Sequence, residues 1–149
     1  MNNLFAPSAV EEVLTRIDGL GPATQRQWGK MDVAQMLAHC ANAMEMSCGT
    51  LAVKRGFVGR FIGPLFRGMA TSDKPFSRNA PTAQELKIAD AQDFAREKAR
   101  LQQGVRDFHQ RGEARCTQLP HPFFGPLTPM QWSTLAYKHL DHHLKQFGV

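Results

Sequence analysis

TPMQWSTLAYKHLDHHLKQFG, residues 128 to 148, is the stretch that decides the fold. Thr128 is suited to cap a helix, Pro129 to occupy its first position, and Gln131, three residues after the threonine, to complete a capping box. These signals predict a helix from Thr128 to near Phe147, with Gly148 as its stop. At about 100° per residue, Trp132, Leu135, Ala136, Tyr137, Leu140, Leu144 and Phe147 fall in one continuous apolar arc. His139 and His143 lie inside that arc, one on either side of Trp132, and their four-residue spacing stacks them one turn apart on the same face. His142 falls at its edge, beside the polar side made by Gln131, Lys138, Asp141 and Lys145.

Histidines near a helix C-terminus can be there for the helix dipole, which favours positive charge at the carbonyl end. That explanation requires an exposed face and suits His142. It does not account for two histidines interrupting an apolar stripe, where each ring nitrogen needs a partner. A shared metal ion would be one such partner, and two histidines are half of a metal site. Spacing and face alone leave both readings open.

The whole chain bounds the answer. Its 149 residues suit one domain, residues 1–149, with enough length for a core, and 42% apolar against 21% charged residues exclude disordered and fibrous classes. Cys40, Cys48 and Cys116 form neither an even set nor a CxxC pair, as expected of reduced thiols in a cytoplasmic protein. The N-terminus, MNNLFAPSAVEEV, lacks the basic region and apolar run of a signal peptide. Net charge is +5. Lys54, Arg55, Arg60, Arg67, Lys74 and Arg78 carry most of it against Asp73 alone. With no nucleic-acid motif to go with it, this basic patch points to anionic small ligands, with Arg55, Arg60 and Arg67 as candidate anion-binding residues, and no nucleic acid is expected as a partner.

Further helices are predicted over Pro7 to Asp18 and from Asp32, with Gln35 completing its box, to about Ser47. His39 sits at the edge of the second helix's apolar arc, where a lone histidine is more often a satisfied core or boundary residue than a ligand. The segment Lys54 to Ala70 reads as an amphipathic helix interrupted at Pro64, too short and too interrupted by arginine and glycine to cross a membrane. Packing on the bundle or at a dimer interface is the plainer expectation for it, and an interfacial membrane helix the other. The longest helix is predicted from Thr82, where Thr82-Ala83-Gln84-Glu85 forms a capping box, to about Gln110, with Leu86, Phe94, Leu101, Val105 and Phe108 as its buried stripe. Asp90 on that helix is a candidate carboxylate for orienting a ligand histidine. Residues 111 to 127 form a loop. Four main helices with long connections make an all-α bundle, the kind of fold that holds metals between facing helices. His39 with the pair His139 and His143 would give three imidazoles and leave a coordination position open.

Three stretches carry a resemblance over nearly the whole chain: Trp28 with the helix MLAHC ending at Cys40, the loop HPFFGPLT from His121 to Thr128, and HLDHHLKQFG from His139 to Gly148. They resemble the DinB/YfiT-like metalloenzyme superfamily, in particular its uncharacterised branch, a domain of unknown function. The resemblance implies a four-helix bundle, often a homodimer, with a divalent metal (zinc or nickel, or iron) on His39, His139 and His143. Relatives include transferases and isomerases that use a thiol cofactor. No residue here marks a mycothiol-like or bacillithiol-like cofactor.

Two functions are thereby expected as alternatives. In one, a metal ion on the three histidines activates water or a low-molecular-weight thiol for hydrolysis or group transfer on a small-molecule substrate, with Asp90, His142 or Gln146 supporting the ligands. In the other, a non-catalytic helical dimer binds a partner or a membrane surface through segment 54–70.

Overall fold

The computed structural model describes residues 2–54, 57–72, 74–78 and 86–149, without the side chains of residues 58 and 60. Among them the chain forms five α-helices and no β-strand: α1 (Pro7–Asp18), α2 (Val33–Cys48), α3 (Phe57–Ala70), α4 (Phe94–Arg111) and α5 (Pro129–Gln146), with a short 3-10 turn at Glu113–Arg115. No helix of the described residues is long and apolar enough to cross a membrane.

Local chemistry sets the helix ends. The Asp32 carboxylate accepts from the Gln35 amide and the Gln35 side chain returns to the Asp32 N–H, while Gly49 closes α2 in the left-handed region at φ 74°. Thr128 and Gln131 make the same reciprocal pair at α5, followed by Pro129. The long helix expected from Thr82 is shorter than its sequence suggests. Its capping box lies outside the described residues, and α4 begins at Phe94, capped by Asp93. Residues 86–93 run across the start of α2 instead. Leu86 is buried there, and the Ala89 carbonyl accepts from the Gln35 side chain at 3.1 Å. Those tertiary bonds take carbonyls that a longer helix would have kept for itself.

α1 and α2 each pack against both α4 and α5. The core between them contains Val13, Ile17, Met36, Leu37, Met44, Leu101, Val105, Trp132, Leu140 and Leu144. Glu97 on α4 is sealed in at 1% exposure and pairs with Arg96 (2.9 Å) and Arg100 (2.6 Å). Arg100 also reaches Glu45 on α2 at 2.8 Å, clasping the two helices. His109, at the end of α4 where solvation would be the default, instead bonds the Leu4 carbonyl through Nδ1.

α3 continues through Pro64 rather than breaking there. It is seated on the loop after α4 by a face without side chains. A Cβ on Gly63 would overlap the Phe123 carbonyl, and one on Gly59 would stand 3.0 Å from the Pro122 oxygen and the Phe123 Cα. The opposite face is open, with Phe57, Phe61, Leu65 and Met69 all exposed. Of the two packings expected for this segment, on the bundle or at a dimer interface, this face does not make the first within the chain.

Two substitutions test this architecture. Arg100→Ala leaves Glu97 buried with only the exposed Arg96 beside it, and should cost about 3 kcal/mol in a denaturant titration, near the low end for breaking a buried ion pair. Gly63→Val meets rigid backbone, so α3 should leave its seat and become the first site of limited proteolysis, while the unfolding midpoint of the core moves little.

Candidate metal centre

His39 enters from the middle of α2, and His139 and His143 from the C-terminal half of α5. The three rings meet with centroids 4.7 to 4.9 Å apart. One potential ligand nitrogen from each lies within 4.8 Å of the others. His39 is 3% exposed and His143 9%, while His139 is partly open to solvent.

Hydrogen bonds fix how two of the rings face. The Nδ1 of His39 is 2.8 Å from the Leu86 carbonyl oxygen, which can only accept, so Nδ1 carries the proton and Nε2 presents a lone pair. Gln146 donates its side-chain amide N–H to the Trp28 carbonyl at 2.7 Å, which turns its own oxygen toward the Nδ1 of His143 at 2.8 Å. His143 therefore also keeps its proton on Nδ1. Such outward bonds from ligand histidines set the tautomer and raise the basicity of the inward nitrogen. The His39 and His139 Nε2 atoms are 3.0 Å apart. With a lone pair on His39, that contact is favourable only if a proton or a cation lies between the two.

The donor set fits a divalent ion. Imidazole nitrogens at about 2.0–2.1 Å in a tetrahedral array stand roughly 3.3 Å from one another, close to the His39–His139 separation. Charge state suits it as well. Burial lowers the pKa of His39 against the opposing bond to Leu86. Burial, reinforced by the neighbouring histidines, takes His139 well below its ordinary value. Burial brings His143 down to about 3. All three are neutral at physiological pH, the state from which imidazole binds metal without first losing a proton.

The other residues singled out from the sequence divide. Gln146 is buried and bonded to His143. His142 lies next to His143 on α5, partly open to solvent. Its half-buried ring stands edge-on to Trp28 and Phe76, each at 6.0 Å, and to His143 at 5.1 Å, and burial lowers its pKa. Asp90 is exposed on the loop before α4, where its backbone carbonyl accepts from Gln92, and the outward bond of His39 goes to Leu86 instead. Arg67 donates to the Phe124 carbonyl at 3.3 Å, which fastens α3 to the loop. Arg55 and the side chain of Arg60 lie outside the described residues. The three cysteines are free and buried, and burial raises each thiol, Cys48 to about 11, so none is a thiolate at neutral pH.

One histidine joins the surroundings without having been singled out. His121 opens the HPFFG loop, which an isolated bridge to Gly125 closes. Its Nδ1 accepts from the Phe123 and Phe124 amides at 3.1 and 3.2 Å, and its ring lies 5.3 Å from that of Trp132. Trp132 sits two turns before His139 on α5. It also lines an apolar cavity of about 90 Å³ with Met46, Leu51, Val53, Leu119 and Pro122. The sequence marks this loop by the HPFFGPLT resemblance and by Phe123-Phe124, too apolar to be left in water, but gives His121 itself no role.

The depressed histidines predict how the metal-free protein responds to acid. In the unfolded chain they protonate near 6.5. The folded chain resists this, so stability present above about pH 6.5 is lost as pH falls, continuing toward about 3 for His143. Each such histidine adds at most about 1.4 kcal/mol per pH unit to the slope. Denaturation in the presence of a chelator at several pH values between 7.5 and 4 should show this decline, and His143→Asn should make it shallower.

Searches of curated proteins and of solved structures found no match. A family model described as "Protein of unknown function (DUF1569)" matches residues 4–148. That span takes in α1 to α5, the HPFFG loop and all three histidines of the cluster, and the chain belongs to the DUF1569 family.

Proposed function

We propose that this protein is a divalent-metal-dependent enzyme, its α1, α2, α4 and α5 forming a four-helix bundle of the DinB/YfiT-like type, that activates water or a low-molecular-weight thiol for hydrolysis or group transfer. The observation that carries this reading is the convergence of His39, His139 and His143 with two Nδ1 protons committed outward. Those outward bonds leave the Nε2 atoms of His39 and His143 as the nitrogens that an ion shared with His139 would use.

The residues divide the work. His39, His139 and His143 would hold the ion, most suitably zinc or nickel, with iron also compatible with three imidazoles. A divalent ion on such a site lowers the pKa of a water or thiol bound to it, supplying a nucleophile near neutral pH. The Leu86 carbonyl and Gln146 keep two imidazoles aimed inward, and Gln146 is itself held by the Trp28 carbonyl. Trp132 and its His121 neighbour exclude water from one side. The partial exposure of His139 leaves the approach through which a small-molecule substrate would enter. The protein's own cysteines are protonated and buried, so any thiol in the reaction would come from a small molecule.

Elemental analysis of protein purified without added metal, followed by titration of chelated protein with zinc and nickel, tests the reading. About one ion per chain is expected in wild type and none in His39→Ala or His139→Ala, with helical circular dichroism retained. A wild-type protein that takes up neither ion stoichiometrically would refute it. Gln146→Leu, which keeps the triad but frees the His143 ring, should weaken metal affinity by about 10- to 100-fold.

A further inference from the structure

Six large apolar side chains are exposed on α3: Phe57 (77% exposed), Phe61 (67%), Ile62 (41%), Leu65 (81%), Phe66 (43%) and Met69 (57%). At about 100° per residue they cover one continuous half of the helix. The other half is occupied, with Gly59 and Gly63 pressed on the backbone of residues 122–123 and Arg67 bonded to the Phe124 carbonyl. The helix is therefore held from behind with its apolar half turned outward. A patch of this kind on a water-exposed helix marks a contact surface.

Charge identifies what covers it. The chain has 18 basic and 13 acidic residues; between positions 54 and 78 six are basic and one is acidic, so the remainder carries 12 of each. The whole net charge of +5 thus lies in the segment that contains the apolar helix. Lys54 and Lys74 flank α3 and are exposed. Two copies of the chain meeting through this face would bring the two positive segments together, so self-association is disfavoured. A surface that is apolar beneath and negatively charged above satisfies both features. At 14 residues, about 21 Å long, α3 is too short to span a bilayer of about 30 Å but can lie in its interface.

We infer that α3 docks the protein on a membrane surface of anionic lipid, Phe57, Phe61, Leu65 and Met69 entering the interface and the flanking Lys54 and Lys74 meeting the headgroups. This is independent of the metal centre. Sedimentation with large vesicles, either pure phosphatidylcholine or phosphatidylcholine mixed with phosphatidylglycerol, is the test. The full chain should bind the mixed vesicles at least about tenfold more strongly than the neutral ones, and less strongly as salt rises. Leu65→Glu should reduce that binding by about tenfold or more, whereas Met130→Glu, the same change at an exposed apolar residue on α5, should leave it intact. Equal binding to both vesicles, binding to neither, or full binding by Leu65→Glu would overturn the inference. So would a concentration-dependent dimer in light scattering that Leu65→Glu disperses, which would give the face to a second copy.

Discussion

Three imidazoles set largely inside an apolar core impose a constraint that much of the surrounding structure answers. Each ring carries two polar nitrogens, and a buried one left without a partner destabilises the fold. The partners come from separate parts of the chain. Leu86 supplies a carbonyl from the run before α4, Trp28 supplies another through Gln146, and the Gln27 amide donates to the Gln146 carbonyl at 2.8 Å. Segments 27–28 and 86–90, both irregular, are thereby pinned against α5 and α2. Their courses follow from the site as much as from their own sequences.

This explains which parts of the structure were legible in the sequence. Helices α1, α2 and α5 announce themselves by local signals, Pro7, the Asp32–Gln35 box and the Thr128–Gln131 box, and each forms close to where those signals place it. The pairing of His139 with His143 follows from helical phase. The start of α4 is not legible, because Leu86 and Phe94 fit one apolar stripe while serving different ends. Phe94 begins the helix, and Leu86 packs in the core from an irregular run that gives its carbonyl to His39. A backbone carbonyl has no signature in the sequence, so neither that bond nor the one from Trp28 was readable. The helix from which Asp90 would orient a ligand histidine begins only at Phe94 and does not reach it.

Glu97 shows the same limit from another direction. In the sequence it is one acid in a charged run, FAREKAR, with the look of a solvated helix face. In the structure it is sealed between α4 and α2 by arginines on its own helix, and Arg100 extends the ion pair to Glu45. Hydrophobic periodicity finds apolar residues that are buried. It is blind to a charge whose burial rests on ion pairs rather than on apolar phase.

The loop from His121 to Gly125 joins the two outer features of the molecule to its interior. On one side Phe123 receives the glycine face of α3, and on the other the His121 ring stacks near Trp132, on the same face of α5 as the histidine pair. Gly125, at φ 78°, turns the chain back to close the loop, and His121 braces it from within through the Phe123 and Phe124 amides. A larger residue at Gly63 would have pushed α3 away from this loop, so Gly59 and Gly63 are packing residues rather than helix weaknesses. The apolar half of α3 is held outward because its back is fixed to a braced loop. That loop rests in turn on Trp132, between the helical phases of His139 and His143.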